Sequence, residues 1–195
     1  MSKRNDIVNL VRRPATICAA LGFRAAGRDS IPGGRLFGNM NGGPKSKIDW
    51  LTPRFIIQRL GPFDLDPASP IFRPWPTAAH HLTIEDDGLT SPWFGRVWLN
   101  PPYGQSTGRW LARLASWGDG IALTFARTET RFFHREVWAR ANAVLFFRGR
   151  LTFHNADGTL AHSAAGAPSC LVAYGRRNVK AIVEAGFDGY LVNLR

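Results

Sequence analysis

The chain has 195 residues, 45% of them hydrophobic and 12% aromatic, which suits one well-buried core and is short for two. No run reaches the roughly 18 uncharged apolar residues of a membrane helix, the N-terminus lacks the apolar segment of a signal peptide, and Cys18 and Cys170 are too few and too far apart for a disulfide framework or a zinc site. A soluble, cytoplasmic protein is therefore expected, and its formal net charge of +11 favours a polyanionic partner, nucleic acid first.

Residues 1–47 hold nine Lys/Arg against two Asp and so supply +7 of that charge. With Gly33-Gly34, Gly42-Gly43 and Pro44 they read as a basic, partly flexible extension, with room for a short helix over Thr16–Phe23. From residue 48 to 195 helical and extended patterns alternate without repeats, which points to one α/β domain. Thr52 followed by Pro53 starts a helix over Pro53–Leu60. Phe63–Asp66 reads as a short strand, 67–81 as an irregular Pro- and His-rich loop, and Arg96–Leu99 as a second strand. A helix follows over Thr107–Trp117, where Trp110, Leu111, Leu114 and Trp117 recur at helical spacing. Gly120–Ala126 is a strand, Arg131–Arg140 a helix and Ala143–Phe147 a buried strand. Leu151–His154 and Leu160–Ser163 flank Asp157-Gly158 as a hairpin. Ser169–Tyr174 and Tyr190–Leu194 are further strands around a helix over Arg177–Ala185.

Asn100-Pro101-Pro102-Tyr103 ends the second strand. Two prolines in succession lack N–H groups and hold φ near −65°, so the corner cannot continue a ladder and leaves its acceptors free. The Asn100 side-chain oxygen and the Pro101 carbonyl can hold the two N–H groups of a flat amine, and Tyr103 offers an aromatic face for its ring. A Pro-Pro turn with a packing tyrosine is the plainer alternative. Two acidic groups accompany the corner: Asp64-Leu65-Asp66, whose acids share a strand face, and Glu85-Asp86-Asp87 before Gly88. They suit an ammonium and a pair of ribose hydroxyls respectively, or else serve as loop acids and helix caps. Asp66 and Asn100 both stand at strand ends, where the ligand crevice of an open α/β sheet lies. His80-His81 is not expected to bind metal, because adjacent histidines point apart and no third ligand is near.

In order, Phe63-Asp64-Leu65-Asp66-Pro67-Ala68, Thr83-Ile84-Glu85-Asp86-Asp87-Gly88-Leu89, Trp93 and Val97-Trp98-Leu99-Asn100-Pro101-Pro102-Tyr103-Gly104 resemble the phage-type (Dam-like) DNA N6-adenine methyltransferase family. Trp50-Leu51-Thr52-Pro53 upstream, and Ala126-Arg127-Thr128, Thr130, Trp138 and Arg148-Gly149-Arg150-Leu151 with Phe153 downstream, extend the resemblance over about residues 48–175. It implies a Rossmann-like, S-adenosylmethionine-dependent methyltransferase with an abbreviated central sheet, since only 34 positions separate Asp66 from Asn100. It implies Asn100, Pro101, Pro102 and Tyr103 as the catalytic motif. Trp50, Thr52, Asp64, Asp66, Pro67, Ala68, Glu85 and Asp87 become candidate donor contacts. The expected partner is double-stranded DNA, with Arg127, Thr128, Arg148 and Arg150 as candidate contacts, and no metal. Other acceptors for the same motif are cytosine N4, an RNA base or a protein glutamine, and an inactive DNA-binding relative is a further alternative.

Overall fold

The computed structural model describes residues 50–195. The basic segment 1–47, the helix expected over Thr16–Phe23 and Cys18 lie outside the described residues. Seven strands form one mixed sheet: β1 Leu65–Asp66, β2 His80–His81, β3 Val97–Leu99, β4 Gly120–Phe125, β5 Ala143–Phe147, β6 Ser169–Tyr174 and β7 Gly189–Asn193, in the order β2-β1-β3-β4-β6-β5-β7. The pairings from β2 to β4 are parallel and those from β4 to β7 antiparallel. Among the described residues three α-helices accompany them: α1 Arg54–Leu60, α2 Thr107–Trp117 and α3 Arg176–Ala185.

β3, β4 and β6 are mostly apolar, with only Thr124 and Ser169 polar among them, because both faces of the sheet are covered. The pleat sends Val97 and Leu99 to one side, where they meet Leu111 and Leu114 of α2 together with Phe133 and Val137. It sends Trp98 to the other, with Ile56 and Leu60 of α1 and Ile182 of α3. Arg96, buried just before β3, ties the second layer together. Its guanidinium donates to the Leu60 and Pro62 carbonyls at 2.8 and 2.9 Å and to Asn178 Oδ1 at 2.7 Å. Among the described residues no helix is long and apolar enough to cross a membrane.

Several elements differ from the sequence expectation. The first two strands begin one or two residues late, because the N–H groups of Asp64 and Leu65 both point at the Arg96 carbonyl, at 2.8 and 3.4 Å, and a regular ladder starts only after that shared acceptor. His80–His81, expected in a loop, pairs in parallel with Leu65–Asp66; two residues carry no periodicity, and only the neighbouring strand makes them β. Arg131–Arg140 winds as a π-helix over Phe133–Trp138, with the Ala139 N–H reaching His134 O at 3.2 Å. The hairpin around Asp157-Gly158 shrinks to single bridges, His154 with Leu160 and His154 with Leu51. Its turn forms as expected, with Gly158 at φ 86° and the Asn155 N–H on Thr159 O at 2.8 Å.

Candidate active site

β1 and β3 are parallel neighbours, so Asp66 and Asn100 emerge at the same edge of the sheet, and proline follows each. The two turns wall a cleft of about 350 Å³, at the small end of the roughly 300–1,000 Å³ that ligand sites span. The cleft brings together Trp50, Thr52, Asp66, Pro67, Ala68, Asp87, Asn100, Pro101, Pro102 and Tyr103. Trp50 and Thr52 reach it because Leu51 exchanges backbone hydrogen bonds with His154, at 2.9 and 3.1 Å.

Asn100 is held at its amide end. Its Nδ2 donates to the Trp50 carbonyl at 3.0 Å, which fixes the amide orientation and leaves Oδ1 as the acceptor. Tyr103 Oη donates to that Oδ1 at 3.3 Å, and one of its two lone pairs remains for a ligand. The Thr107 hydroxyl donates to the Pro102 carbonyl at 2.8 Å, whereas the Pro101 carbonyl accepts no hydrogen bond among the described residues. Tyr103 is less free than expected. Phe125 stacks on one face of its ring at 4.1 Å and 12°, Phe153 meets it edge-on at 6.3 Å, and burial pushes the phenol well above its ordinary range, with Cys170 adding to the effect. A ligand cannot use the face that Phe125 covers.

Asp66 is buried at 3% exposure, yet it lines the cleft. Oδ1 accepts from the Ala68 N–H at 3.1 Å and Oδ2 from the Thr77 hydroxyl. Burial raises the carboxyl from 3.8 to about 6, while those two hydrogen bonds and the nearby Arg73 pull the other way. The turn is also held from outside. Gly88 packs so close to Pro67 that a Cβ would lie 1.8 Å from the Pro67 carbonyl oxygen. The Gly88 carbonyl in turn accepts from Trp93 Nε1 at 2.8 Å.

The other acids are placed differently. Asp64 stands at the opposite, amino end of β1, outside this cleft, where its Oδ2 accepts from the Arg96 N–H at 2.6 Å. Asp64 falls just before the two-residue strand β1, so the two acids stand at its opposite ends. Glu85 is exposed and lines no part of the cleft, whereas Asp87 does. Asp87 adopts a left-handed φ of 47°, and its carboxylate already accepts from the Leu89 N–H at 3.3 Å and the Thr90 hydroxyl at 3.0 Å. Among the described residues no three His, Cys, Asp or Glu side chains group as a metal site would.

The sequence model of the DNA N-6-adenine-methyltransferase (Dam) family matches residues 43–184, most of the chain and every residue of the cleft. The chain belongs to this family. Its family activity is DNA adenine N6-methylation, with DNA as the substrate class and S-adenosylmethionine as the implied methyl donor. No curated protein and no solved structure matches the chain.

Four positions expected to contact the methyltransferase's DNA stand at the surface. Arg127 and Thr128 are exposed just past β4, where the Arg127 carbonyl accepts from the Thr130 hydroxyl at 2.7 Å. Arg148 pairs with Asp188 at 3.0 Å in an exposed bridge, and Arg150 donates to the carbonyls of Ala165 and Gly166 at 3.3 and 3.4 Å. The cleft also holds residues that sequence reasoning passed over. Trp75 roofs it, donating from Nε1 to the Thr52 carbonyl at 3.3 Å and meeting His154 edge-on at 5.1 Å. Trp110, expected in the core, is buried there and also lines the cleft. Thr77 carries no motif at all; only the return of its loop beside β1 reveals it.

Proposed function

We propose that the chain methylates the N6 amino group of adenine in double-stranded DNA at a defined sequence, using S-adenosylmethionine, with the target base rotated out of the duplex into the Asn100–Tyr103 corner. The observation that carries this reading is that one cleft joins the Asp66-Pro67-Ala68 turn to the Asn100-Pro101-Pro102-Tyr103 turn, at the carboxyl ends of adjacent parallel strands. A Rossmann-like reading of the sheet, its first three parallel strands cut to two or three residues, belongs to the same proposal.

The residues present fit the donor. Asp66 lines the cleft, its oxygens keep lone pairs beyond those taken by Ala68 and Thr77, and ionised it suits the donor's hydroxyls or ammonium. When bound, S-adenosylmethionine supplies an electrophilic methyl group. The remaining work falls to the chain. Asn100 Oδ1 and the Pro101 carbonyl accept the two N–H bonds of the amine, drawing its lone pair out of conjugation with the ring. The Trp50 carbonyl keeps the Asn100 amide from turning over. Neither acceptor is a base near neutral pH, so they support developing positive charge electrostatically and the proton leaves after transfer. Tyr103, which lines the cleft, takes the ring. Phosphate contacts fall to the exposed arginines and to the basic segment 1–47.

Radiolabelled donor incubated with the protein and plasmid DNA, RNA or protein tests the reading. Label recovered as N6-methyladenine from duplex DNA is the expected result, and label in N4-methylcytosine, RNA or glutamine refutes it. Asn100→Ala is expected to abolish transfer while calorimetry still detects donor binding.

A further inference from the structure

We propose that Thr77 is a positioning residue for the Asp66 carboxyl, and that His81, as a neutral imidazole, holds Thr77 in place. The proposal rests on the reading of Asp66 as a donor contact and adds two residues to it. Thr77 lies on the loop 67–79, which contains no helix or strand of its own. The loop returns beside β1 through three hydrogen bonds: Ala79 N–H to Phe63 O at 3.0 Å, His80 N–H to Asp64 O at 2.9 Å and Leu82 N–H to Asp66 O at 2.9 Å. That return sets His81 in register with Asp66. His81 Nε2 then accepts two backbone N–H groups, of Thr77 at 3.2 Å and of Ala78 at 3.3 Å, and so fixes the peptide from which the Thr77 hydroxyl donates to Asp66 Oδ2.

An imidazole that accepts at Nε2 is neutral and carries its proton on Nδ1. His81 meets this condition because burial, helped by Arg73 and His80, lowers it to about 4. The bond from Thr77 favours the ionised form of Asp66 against the burial that opposes it. The charged or titratable groups on the elements around Asp66 are Arg73 on the loop, His81 on β2 and Asp87 on the 83–90 turn. The turn after β3 brings the uncharged Asn100 and Tyr103, a phenol that burial keeps protonated, to the cleft, and α2 brings Trp110.

Titration of the Asp66 side-chain carboxyl by carbon NMR, assigned with Asp66→Asn, tests this without any ligand. Thr77→Val is expected to raise the midpoint by about one pH unit, and Thr77→Ser to restore it. Donor affinity at pH 6.5 is then expected to fall by about threefold in Thr77→Val, in proportion to the ionised fraction. His81→Ala is expected to move the midpoint in the same direction and to add little to Thr77→Val in the double variant. Coincident midpoints for Thr77→Val and wild type overturn the role of Thr77; full additivity overturns that of His81. If Thr77→Val does not fold, His81→Ala decides by the same titration, an unmoved midpoint counting against the proposal. A shifted midpoint in a protein that binds no S-adenosylmethionine sinks the donor reading and leaves the Thr77–Asp66 coupling standing.

Discussion

Replacing Gly88 by alanine tests the geometry that joins the acidic turn to the rest of the cleft. The added methyl would lie 1.8 Å from the Pro67 carbonyl oxygen, 2.8 Å from its carbonyl carbon and 3.1 Å from Trp110 Cη2. Because the nearest obstacle is backbone, no rotamer change relieves it. Either the 83–90 turn or the Asp66-Pro67-Ala68 turn must move. Overpacking costs about 1–3 kcal/mol, and an immovable obstacle places this substitution near the top of that range. At about 2–4 °C per kcal/mol for a chain of this size, the expected fall in Tm is roughly 6–12 °C. Donor affinity measured by calorimetry is expected to fall with it, since Asp66 moves with Pro67. Gly149→Ala is the comparison. That residue has φ 73° with nothing within 4 Å of its Cβ, so only left-handed strain of about 1–2 kcal/mol applies, and donor affinity stays unchanged. A Gly88→Ala protein that melts no lower than Gly149→Ala and binds donor like wild type would refute the packing of the 83–90 turn on Pro67.

Asp66 links stability to pH. A carboxyl raised to about 6 binds its proton more tightly in the folded state. It therefore adds stability that is complete below about pH 4 and is lost as pH rises through about 6, roughly 3 kcal/mol in all. Asp66→Asn mimics the protonated form and is expected to melt above wild type at pH 7.5, to lose that advantage near pH 4, and to lose donor binding. Equal melting at both pH values contradicts the burial argument. Tyr103→Phe keeps the stack on Phe125 and is expected to stay within about 1 kcal/mol of wild-type stability in urea with less than a tenfold loss of activity, whereas Tyr103→Ala is expected to cost about 3–5 kcal/mol. A Tyr103→Phe protein without activity would assign the hydroxyl a larger role than its 3.3 Å contact supports. Affinity for duplex DNA is expected to drop at least about tenfold between 50 and 200 mM salt, and Arg150→Ala to flatten that slope by about one contact without changing donor affinity. An unchanged slope removes Arg150 from the DNA interface.

Much of this site is legible as text. The Asn100–Tyr103 corner announces itself because two prolines must end a strand, and Asp66 because an acid ends a short strand-like stretch before another proline. The covered strands are equally plain, since β4 and β6 are apolar on both faces apart from Thr124 and Ser169. Asp64 shows where such reading stops. Alternation would set it on one face with Asp66, but it falls just before the two-residue strand, at the other end of β1, on the Arg96 N–H. Tyr103 shows the same limit, because the partner on one of its faces, Phe125, is distant in sequence and comes from the next strand.

The sequence by itself determined the alternation of helix and strand, the stiff acceptor corner, the buried faces and the basic charge, because these follow from local sterics, side-chain period and composition. Tertiary structure alone decided that His80–His81 is a strand, that the Trp50 carbonyl orients Asn100, that Gly88 presses on Pro67, and that Thr77 and His81 stand behind Asp66. Each of those depends on a contact between segments with no shared pattern, and the physics that selects it, burial and hydrogen-bond satisfaction, acts only once the chain has closed on itself.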